Sequence, residues 1–289
     1  MHTRVLLRSA IAAVCLASAA LAQAPRRGPM SKIYVADTEG TPEISSGSGT
    51  SVLTKKGIYR GEGTHIITQA DSNASVVLSN GTGIYFDVRT RTGVRAFVQA
   101  PFRPNRTDMD EEPSISRTHL YIDSGVIGIS TSRMAAGSSL LLETPQAAVE
   151  IHGRQVVIQA GDSGTTVSMF DGGATVRAGR LETPYEMTAN QQLVVRAGRP
   201  GQPGQVEIRD IPDGHAEGQR AWLFERVLTA DAARKLVYFY MESGPEDNSV
   251  TLFDGTAAGE GEPRIVVVPV VPANPPVQPT VSAANLYHR

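Results

Sequence analysis

Short runs of β-branched and aromatic residues, spaced about ten residues apart, dominate the sequence from residue 31 to residue 211. Clusters of glycine, asparagine, aspartate and serine separate these runs and supply turns. The pattern predicts a mainly β domain over residues 31–212. No strict internal repeat is visible, so a twisted solenoid-like arrangement, a sandwich and a barrel all stay open. We interpret the following runs as strands: 32–36, 50–53, 65–68, 75–78, 84–88, 94–99, 119–123, 126–130, 139–143, 147–152, 155–159, 165–170, 174–177, 192–196 and 205–208.

Several runs alternate apolar and polar residues, as half-buried strands do. Val149 and Ile151 lie on one face of their run, and Glu150 and His152 lie on the other. The four residues 161–164, Gly-Asp-Ser-Gly, separate two such runs and predict a hairpin turn.

The pattern changes after residue 212. Leu223 and Val227 are four residues apart, as are Phe224 and Leu228, which predicts a short helical segment within residues 213–245. We expect helix from residue 216 to 241, either as one helix or as two. Residues 246–289 form a tail rich in glycine and proline, and its stretch 263–279 favours polyproline II.

The first 22 residues have the pattern of a secretory signal peptide: a basic start, a short apolar run and Ala20-Leu21-Ala22 before the cleavage point. We expect residues 23–30 to be a disordered leader. The chain is therefore expected to be periplasmic or secreted, with no integral membrane span after signal cleavage, because no later run has bilayer length.

Composition excludes several classes of function. The net charge of −2 argues against a nucleic-acid partner, since polyanion-binding proteins carry a basic surface. The single cysteine excludes a disulfide framework, an iron–sulfur cluster and a cysteine-rich zinc site. We predict no cofactor and no metal.

An acidic run interrupts the strand pattern at residues 103–116, which we interpret as a long exposed loop. Carboxylates in such a run could bind Ca²⁺, but a calcium loop also needs a glycine and a later bidentate acid. A solvated loop is the preferred interpretation. We take its acids as candidates for interaction with a partner: Asp108, Asp110, Glu111 and Glu112.

Catalytic motifs are weak in this sequence. The Gly-Asp-Ser-Gly run resembles the nucleophile segment of chymotrypsin-like proteases, yet His65 is the only upstream histidine at a plausible separation and lacks that family's setting. A carboxylate pair from distant strands could still form a glycosidase site, although the low aromatic content argues against a sugar-stacking groove. We predict no catalytic residue.

Six motifs follow one another along about half of the chain: SVVLSNGT at 75–82, LYIDSGVIGI at 120–129, LETP at 142–145, AVEIHG at 148–153, TVSMFDGGATV at 166–176 and ANQQLVV at 189–195. Their order resembles that of the FecR-domain family of bacterial envelope signalling and sensor proteins. Where this family usually has Thr after the glycine of the fourth motif, the chain has Arg154, which we add to the interaction candidates.

The resemblance implies a twisted all-β unit without enzymatic residues, located in the envelope. We therefore expect an exported, non-enzymatic protein that binds an envelope protein or a polysaccharide, in envelope sensing or as a structural module. Two alternatives stay open. One is an enzyme that acts on envelope polysaccharide through a carboxylate pair. The other is a transmembrane regulator of the anti-sigma type.

Overall fold

The computed structural model describes residues 31–47, 49–100, 102, 110–178, 183–198, 204–242 and 264–269. Nineteen strands and one helix lie in these ranges, and the mainly β prediction with a short C-terminal helix is confirmed. The elements are β1 Lys32–Glu39, β2 Glu43–Ser46, β3 Gly49–Val52, β4 Ile58–Arg60, β5 His65–Ile67, β6 Asn73–Leu78, β7 Gly83–Phe86, β8 Arg91–Gln99, β9 Ser116–Ser130, β10 Ser139–Glu143, β11 Ala147–Ile151, β12 Gln155–Gly161, β13 Gly164–Asp171, β14 Gly173–Ala178, β15 Thr183–Thr188, β16 Gln191–Arg196, β17 Gln205–Asp210, α1 Arg220–Arg234, β18 Val237–Glu242 and β19 Arg264–Pro269.

Strands β1 to β17 form one continuous sheet that folds into two layers joined through β9. In the first layer the order is β3-β2-β5-β8-β9-β10-β11-β14-β15. In the second layer it is β4-β1-β6-β7-β9-β12-β13-β16-β17. All these pairings are antiparallel except β9 with β10, so the arrangement is sandwich-like.

The long strand β9 changes layer at Gly125. Its first part pairs with β8 and β10, and its last residues, from Gly125 to Ser130, pair with β7 and β12. Gly125 has a φ of 104°, and a Cβ there would lie 2.4 Å from the Cα of Thr90. Only glycine can adopt this conformation at so close an approach.

One hydrophobic cluster fills the space between the layers and draws side chains from both. In the first layer, burial alternates along β11: Val149 and Ile151 are buried, while Glu150 is partly exposed on the outer face. In the second layer, Val156, Val157 and Ile158 of β12 are all fully buried, although successive residues point to opposite faces. The outer face of the second layer is therefore covered as well.

Helix α1 provides that cover by packing on β6, β7, β9 and β12. Its buried face carries Leu223, Val227, Ala230 and Ala233. Two glycines make the close approach possible, because a Cβ at Gly83 would lie 2.1 Å from the Ala230 carbonyl oxygen. A Cβ at Gly128, on the neighbouring strand, would lie 2.5 Å from the Arg226 carbonyl oxygen. The helix is thus an integral part of the β domain.

The expected helix over residues 216–241 was too long. Helix α1 ends at Arg234, and β18 pairs antiparallel with β19. Val237 and Phe239 are buried in a cluster with Ala233, so their spacing of two reflects a strand packed on the domain rather than a continued helix. Polyproline II was also expected across 263–279, whereas 264–269 is strand; its apolar residues lie between Pro263 and Pro269.

Other predictions fall on residues outside the described ranges. They are the signal peptide 1–22, the leader 23–30, Asp108 and the tail apart from β19.

Candidate binding groove

An open groove of about 670 Å³ lies on the outer face of the second layer, beside the residues that lead into α1. Its floor includes Gln159, Thr166 and Val194, which alternate with core residues on β12, β13 and β16 and therefore point outward. The volume falls within the range of typical ligand sites. The groove is lined by Val88, Arg89, Gly125, Val126, Gln159, Ala160, Gly161, Ser163, Gly164, Thr165, Thr166, Val194, Val195, Arg196 and Glu217.

Two arginines stand at the groove. Arg196, at the end of β16, lies 3.5 Å from Glu207 of β17, a weak and exposed ion pair. Arg89 is exposed in the connection between β7 and β8, and no ion pair of its guanidinium is found within the described ranges. Glu217 is the one acidic side chain among the described residues that line the groove.

The connection that carries Arg89 is held in a fixed conformation. Arg89 has a φ of 54°, which is uncommon for a residue other than glycine. Its backbone N–H donates to the carbonyl of Gln69 at 3.0 Å, and the N–H of Thr90 donates to the hydroxyl of Thr68 at 2.8 Å. These hydrogen bonds hold the backbone of Arg89 in place beside the groove.

Two residues before Arg89, a buried ion pair ties the same connection to α1. The Nε of Arg226 donates to Asp87 at 2.8 Å, and the two side chains are 14% and 9% exposed. The guanidinium of Arg226 also lies over the Trp222 ring, 3.5 Å from its centroid. Burial, together with the charge of Asp87, raises the pKa of the neighbouring Tyr85 to about 12. The groove wall and the helix therefore form one rigid unit.

The described acids of the predicted loop brace the connection after β9 instead of facing the groove. Glu111 pairs with Arg133, and Asp110 lies 3.9 Å from Arg234 of α1. Glu112, expected to be solvated, is buried; it accepts hydrogen bonds from the Ser116 hydroxyl and from the Ala135 N–H.

That part of the exposed-loop prediction was wrong, because the Glu112 carboxylate satisfies two donors inside the fold. Within the part of the chain that the structure describes, no group of three or more acidic, histidine or cysteine side chains could hold a metal ion.

Arg154, the remaining interaction candidate, lies away from the groove, at the turn between β11 and β12. Its guanidinium pairs with Asp171 at 2.6 Å, which fastens this turn to the end of β13.

The Gly-Asp-Ser-Gly run forms the predicted hairpin turn. Gly161 pairs with Gly164, which leaves Asp162 and Ser163 as a two-residue loop between β12 and β13. Ser163 lines the groove, but no histidine is among the described residues that line it. The hairpin interpretation is therefore confirmed, and its role is to form one end of the groove.

A second polar surface covers the outer face of the first layer. Gly93 leaves room for the Tyr121 ring to cross β8, so that the Tyr121 hydroxyl bonds to His65 at 2.5 Å. Arg95 lies over the same ring and pairs with Glu143. Burial and the charge of Asp123 raise the pKa of Tyr121.

His119 completes this surface. Its Nε2 lies 3.2 Å from Glu143, but the two groups are not aligned for a hydrogen bond.

The groove brings together none of the residues that the sequence singled out as interaction candidates. Arg89 and Arg196 carry no local signal, since one lies in an ordinary connection and the other at the end of a strand. Only the pairing of distant strands places them at one groove. The single sequence feature that pointed here was the glycine-bounded hairpin at 161–164.

Solved structures that match part of this chain include the following two. Both are crystal structures described as a candidate anti-sigma factor from Parabacteroides distasonis ATCC 8503. The 1.65 Å structure matches with 18% identity and a TM-score of 0.37, over 50% of this chain and 59% of the other. The 2.50 Å structure matches with 17% identity and a TM-score of 0.36, over 50% and 57%. The chain thus spans less than two thirds of either.

Neither a protein-family model nor a curated protein matches the sequence. Among the residues that the structure describes, no helix combines the length and the apolar character needed to cross a membrane.

Proposed function

We propose that this chain is an exported, non-enzymatic, FecR-like binding module of the bacterial envelope, whose groove beside α1 takes a partner. The groove carries the proposal: it has the volume of a ligand site, and its floor consists of side chains on fully paired strands. Export rests on the leader pattern of residues 1–22, and the family rests on the order of the strand motifs.

The groove is suited to binding because its walls are fixed before any partner arrives. Hydrogen bonds to Gln69 and Thr68 hold the Arg89 connection, and the Asp87–Arg226 pair ties that connection to α1. Because this backbone is already ordered, binding carries no added cost of ordering the connection, which favours affinity. Arg89 is well placed to be the main contact, because a guanidinium offers five donors in a planar fork.

The lining favours a protein partner over a glycan. Sugar-binding grooves commonly offer aromatic rings for stacking, and none of the described residues that line this groove is aromatic. Outward polar side chains such as Gln159 and Thr166 suit the amide groups of a peptide segment. The proposed occupant is therefore a segment of an envelope protein, with a polysaccharide as the alternative.

Affinity capture with a matched pair of variants tests this proposal. The full-length chain, tagged at its C-terminus, is expressed in its host, and bound proteins are identified by mass spectrometry. We expect Arg89→Ala combined with Arg196→Ala to reduce recovery of the partner about tenfold, the effect of losing about 1.4 kcal/mol. The control variant Arg177→Ala removes an arginine with a similar 3.5 Å ion pair from the other layer.

Equal recovery with the groove and control variants would contradict a role for the groove. Release of sugars from cell-wall material without any captured protein would support the polysaccharide-acting enzyme instead.

A further inference from the structure

Strand β17 is the last described strand of the second layer, and only one of its two edges pairs with a strand, β16, within the described ranges. Proteins normally protect an open edge by keeping the strand short or by placing a proline in it. The strands at the other described ends of the two layers follow this rule: β3 and β4 have four and three residues, and β15 contains Pro184. Strand β17 has six residues and no proline.

Hydrogen bonds on both sides of β16 show which backbone groups of β17 face the free edge. The N–H of Ile211, one residue beyond β17, donates to the Asn190 carbonyl at 3.0 Å and continues the β16–β17 register. Bonded and non-bonded pairs alternate along an antiparallel ladder, so every second residue before Ile211 also bonds to β16. On the opposite side of β16, the Ala197 N–H donates to the Ser163 carbonyl, which gives the same alternation. The residues whose N–H and C=O face the free edge are therefore Val206, Ile208 and Asp210.

The side chains of β17 are self-complementary about its middle. Glu207 and Arg209 flank Ile208 on the outer face of the layer, and both are about half-exposed. Ile208 lies on the inner face, directly opposite the fully buried Leu193 of β16, yet it is 41% exposed. An inward apolar side chain thus lacks the cover that a further strand would provide, and opposite charges stand on either side of it.

We propose that two copies of this chain pair edge to edge through β17, antiparallel about a twofold axis at Ile208. In this register the two Ile208 side chains lie opposite each other, and each Glu207 lies opposite Arg209 of the second copy. Each Val206 lies opposite Asp210, so every outward backbone group of the strand finds a partner. The pairing adds about six main-chain hydrogen bonds, two for each bonded pair.

Charge selects this register over its neighbours. A slip of one residue would place inward side chains opposite outward ones, so only slips of two residues keep the faces matched. Such a slip moves the axis to Glu207 or to Arg209 and places that residue opposite its own copy. Like charges directly opposite each other destabilise a strand pair, whereas opposite charges stabilise it. The axis at Ile208 avoids both like-charge pairs.

The contacts that Arg209 already makes are compatible with this dimer. Its Nε and Nη2 donate to the Gln192 side-chain oxygen at 3.1 and 2.9 Å, which fixes the guanidinium over β16. A guanidinium offers five donors, so Arg209 can keep these bonds and also bind Glu207 of the second copy.

The dimer would extend the second layer into one sheet across the two copies. Because the twofold axis is perpendicular to the sheet, the outer faces of both copies point to the same side, and the two grooves open on one surface. The pairing goes beyond the proposed function and does not depend on what the groove binds.

Exchange of charges tests the pairing by analytical ultracentrifugation of the purified full-length chain. We expect the unmodified chain to dimerise as its concentration rises. Glu207→Arg and Arg209→Glu each place like charges opposite each other, so either variant alone should raise the dimer dissociation constant about tenfold or more. An equimolar mixture of the two variants should dimerise about as tightly as the unmodified chain, because every cross-strand pair is then of opposite charge.

The mixture separates loss of pairing from loss of folding, because a misfolded variant would not be restored by the other. An unmodified chain that stays monomeric throughout the concentration series would overturn the proposal. So would variants that dimerise like the unmodified chain, or a mixture that dimerises no better than either variant alone.

Disulfide formation at the axis tests the register. In a chain that carries Cys15→Ser, which removes the only cysteine, Ile208→Cys places two thiols directly opposite each other, with Cα atoms about 5.5 Å apart. The matched control is Asp210→Cys, also exposed and on the same face. Its two copies would lie about 14 Å apart, beyond the reach of a disulfide.

We expect linked dimers to form about tenfold faster with Ile208→Cys than with Asp210→Cys, because only the first pair lies within bonding distance. Equal rates would contradict the register and overturn the proposal. Neither experiment replaces a residue that lines the groove, so the outcome is separate from that of the proposed function.

Discussion

Replacing Gly83 by alanine should push α1 away from the sheet. The new methyl group would lie 2.1 Å from the Ala230 carbonyl oxygen, and because real Cβ atoms essentially never approach closer than 3.0 Å, the helix must move by about 1 Å. A gap of 0.5–1 Å forfeits about a quarter to a half of the dispersion energy between packed atoms. Leu223 and Val227 together contribute about 3–6 kcal/mol by burial. The expected loss in the free energy of unfolding is therefore about 1–3 kcal/mol, as for other overpacked cores.

Denaturant unfolding followed by tryptophan fluorescence measures this loss, because the only tryptophan, Trp222, lies on α1. Gly161→Ala is the matched control: it adds the same methyl group in the same layer, with nothing within 4 Å. We expect the control to change the free energy of unfolding by no more than about 0.5 kcal/mol. An equal loss in the free energy of unfolding for the two variants would refute this reasoning, because it would show that the close contact between Gly83 and α1 is not the cause of the loss.

Three further outcomes follow from the charges around α1. Asp87→Ala should lower the free energy of unfolding by about 3–5 kcal/mol, because it leaves the buried guanidinium of Arg226 without its counter-charge. Equilibrium unfolding measures this loss, and a value below about 1 kcal/mol would contradict burial of the pair. Burial opposes ionisation of Asp231, but hydrogen bonds from Lys235 and Ser130 outweigh it and lower its pKa. Its stabilising contribution is therefore present above the unfolded-state pKa of about 3.9 and lost as the pH falls through the folded-state pKa, so Asp231→Asn should flatten the acid side of a stability–pH profile. The pKa of Tyr85 is raised to about 12, so its contribution to the free energy of unfolding is present below about pH 10 and is lost as the pH rises toward 12. In a pH titration followed by phenolate absorbance, Tyr85→Phe should remove the step that occurs at the highest pH.

Much of the β architecture could be predicted from alternation and turn residues, since both are local properties. The hairpin between β12 and β13 is an example: its two runs and its glycine-bounded turn all lie within residues 155–171. Strand β15 was missed because Pro184 disfavours a strand, yet it pairs with β14 as the last described strand of its layer. Residues 119–123 and 126–130 were predicted as two strands because Gly125 falls between them, but both belong to β9.

The groove could not be predicted in the same way. Its arginines lie more than a hundred residues apart, and the strand order that unites them follows from the crossing of β9 between layers. For the acidic run, the sequence pattern was clear but its interpretation was partly wrong. Its charge suggested a solvated loop, but the Glu112 carboxylate accepts hydrogen bonds from the Ser116 hydroxyl and the Ala135 N–H inside the fold. A run of charged residues indicates what a segment could bind. Only the folded structure shows which of those side chains already have partners within the protein.

Strand β9 also determines how the molecule comes apart. Because its residues hydrogen bond within both layers, neither layer can separate without breaking pairs along this one strand. We therefore expect the domain to unfold as a single cooperative unit, without a stage in which one layer persists alone. The backbone amides around residues 126–129 should exchange with solvent only through global unfolding, and their exchange rates would report the stability of the whole domain.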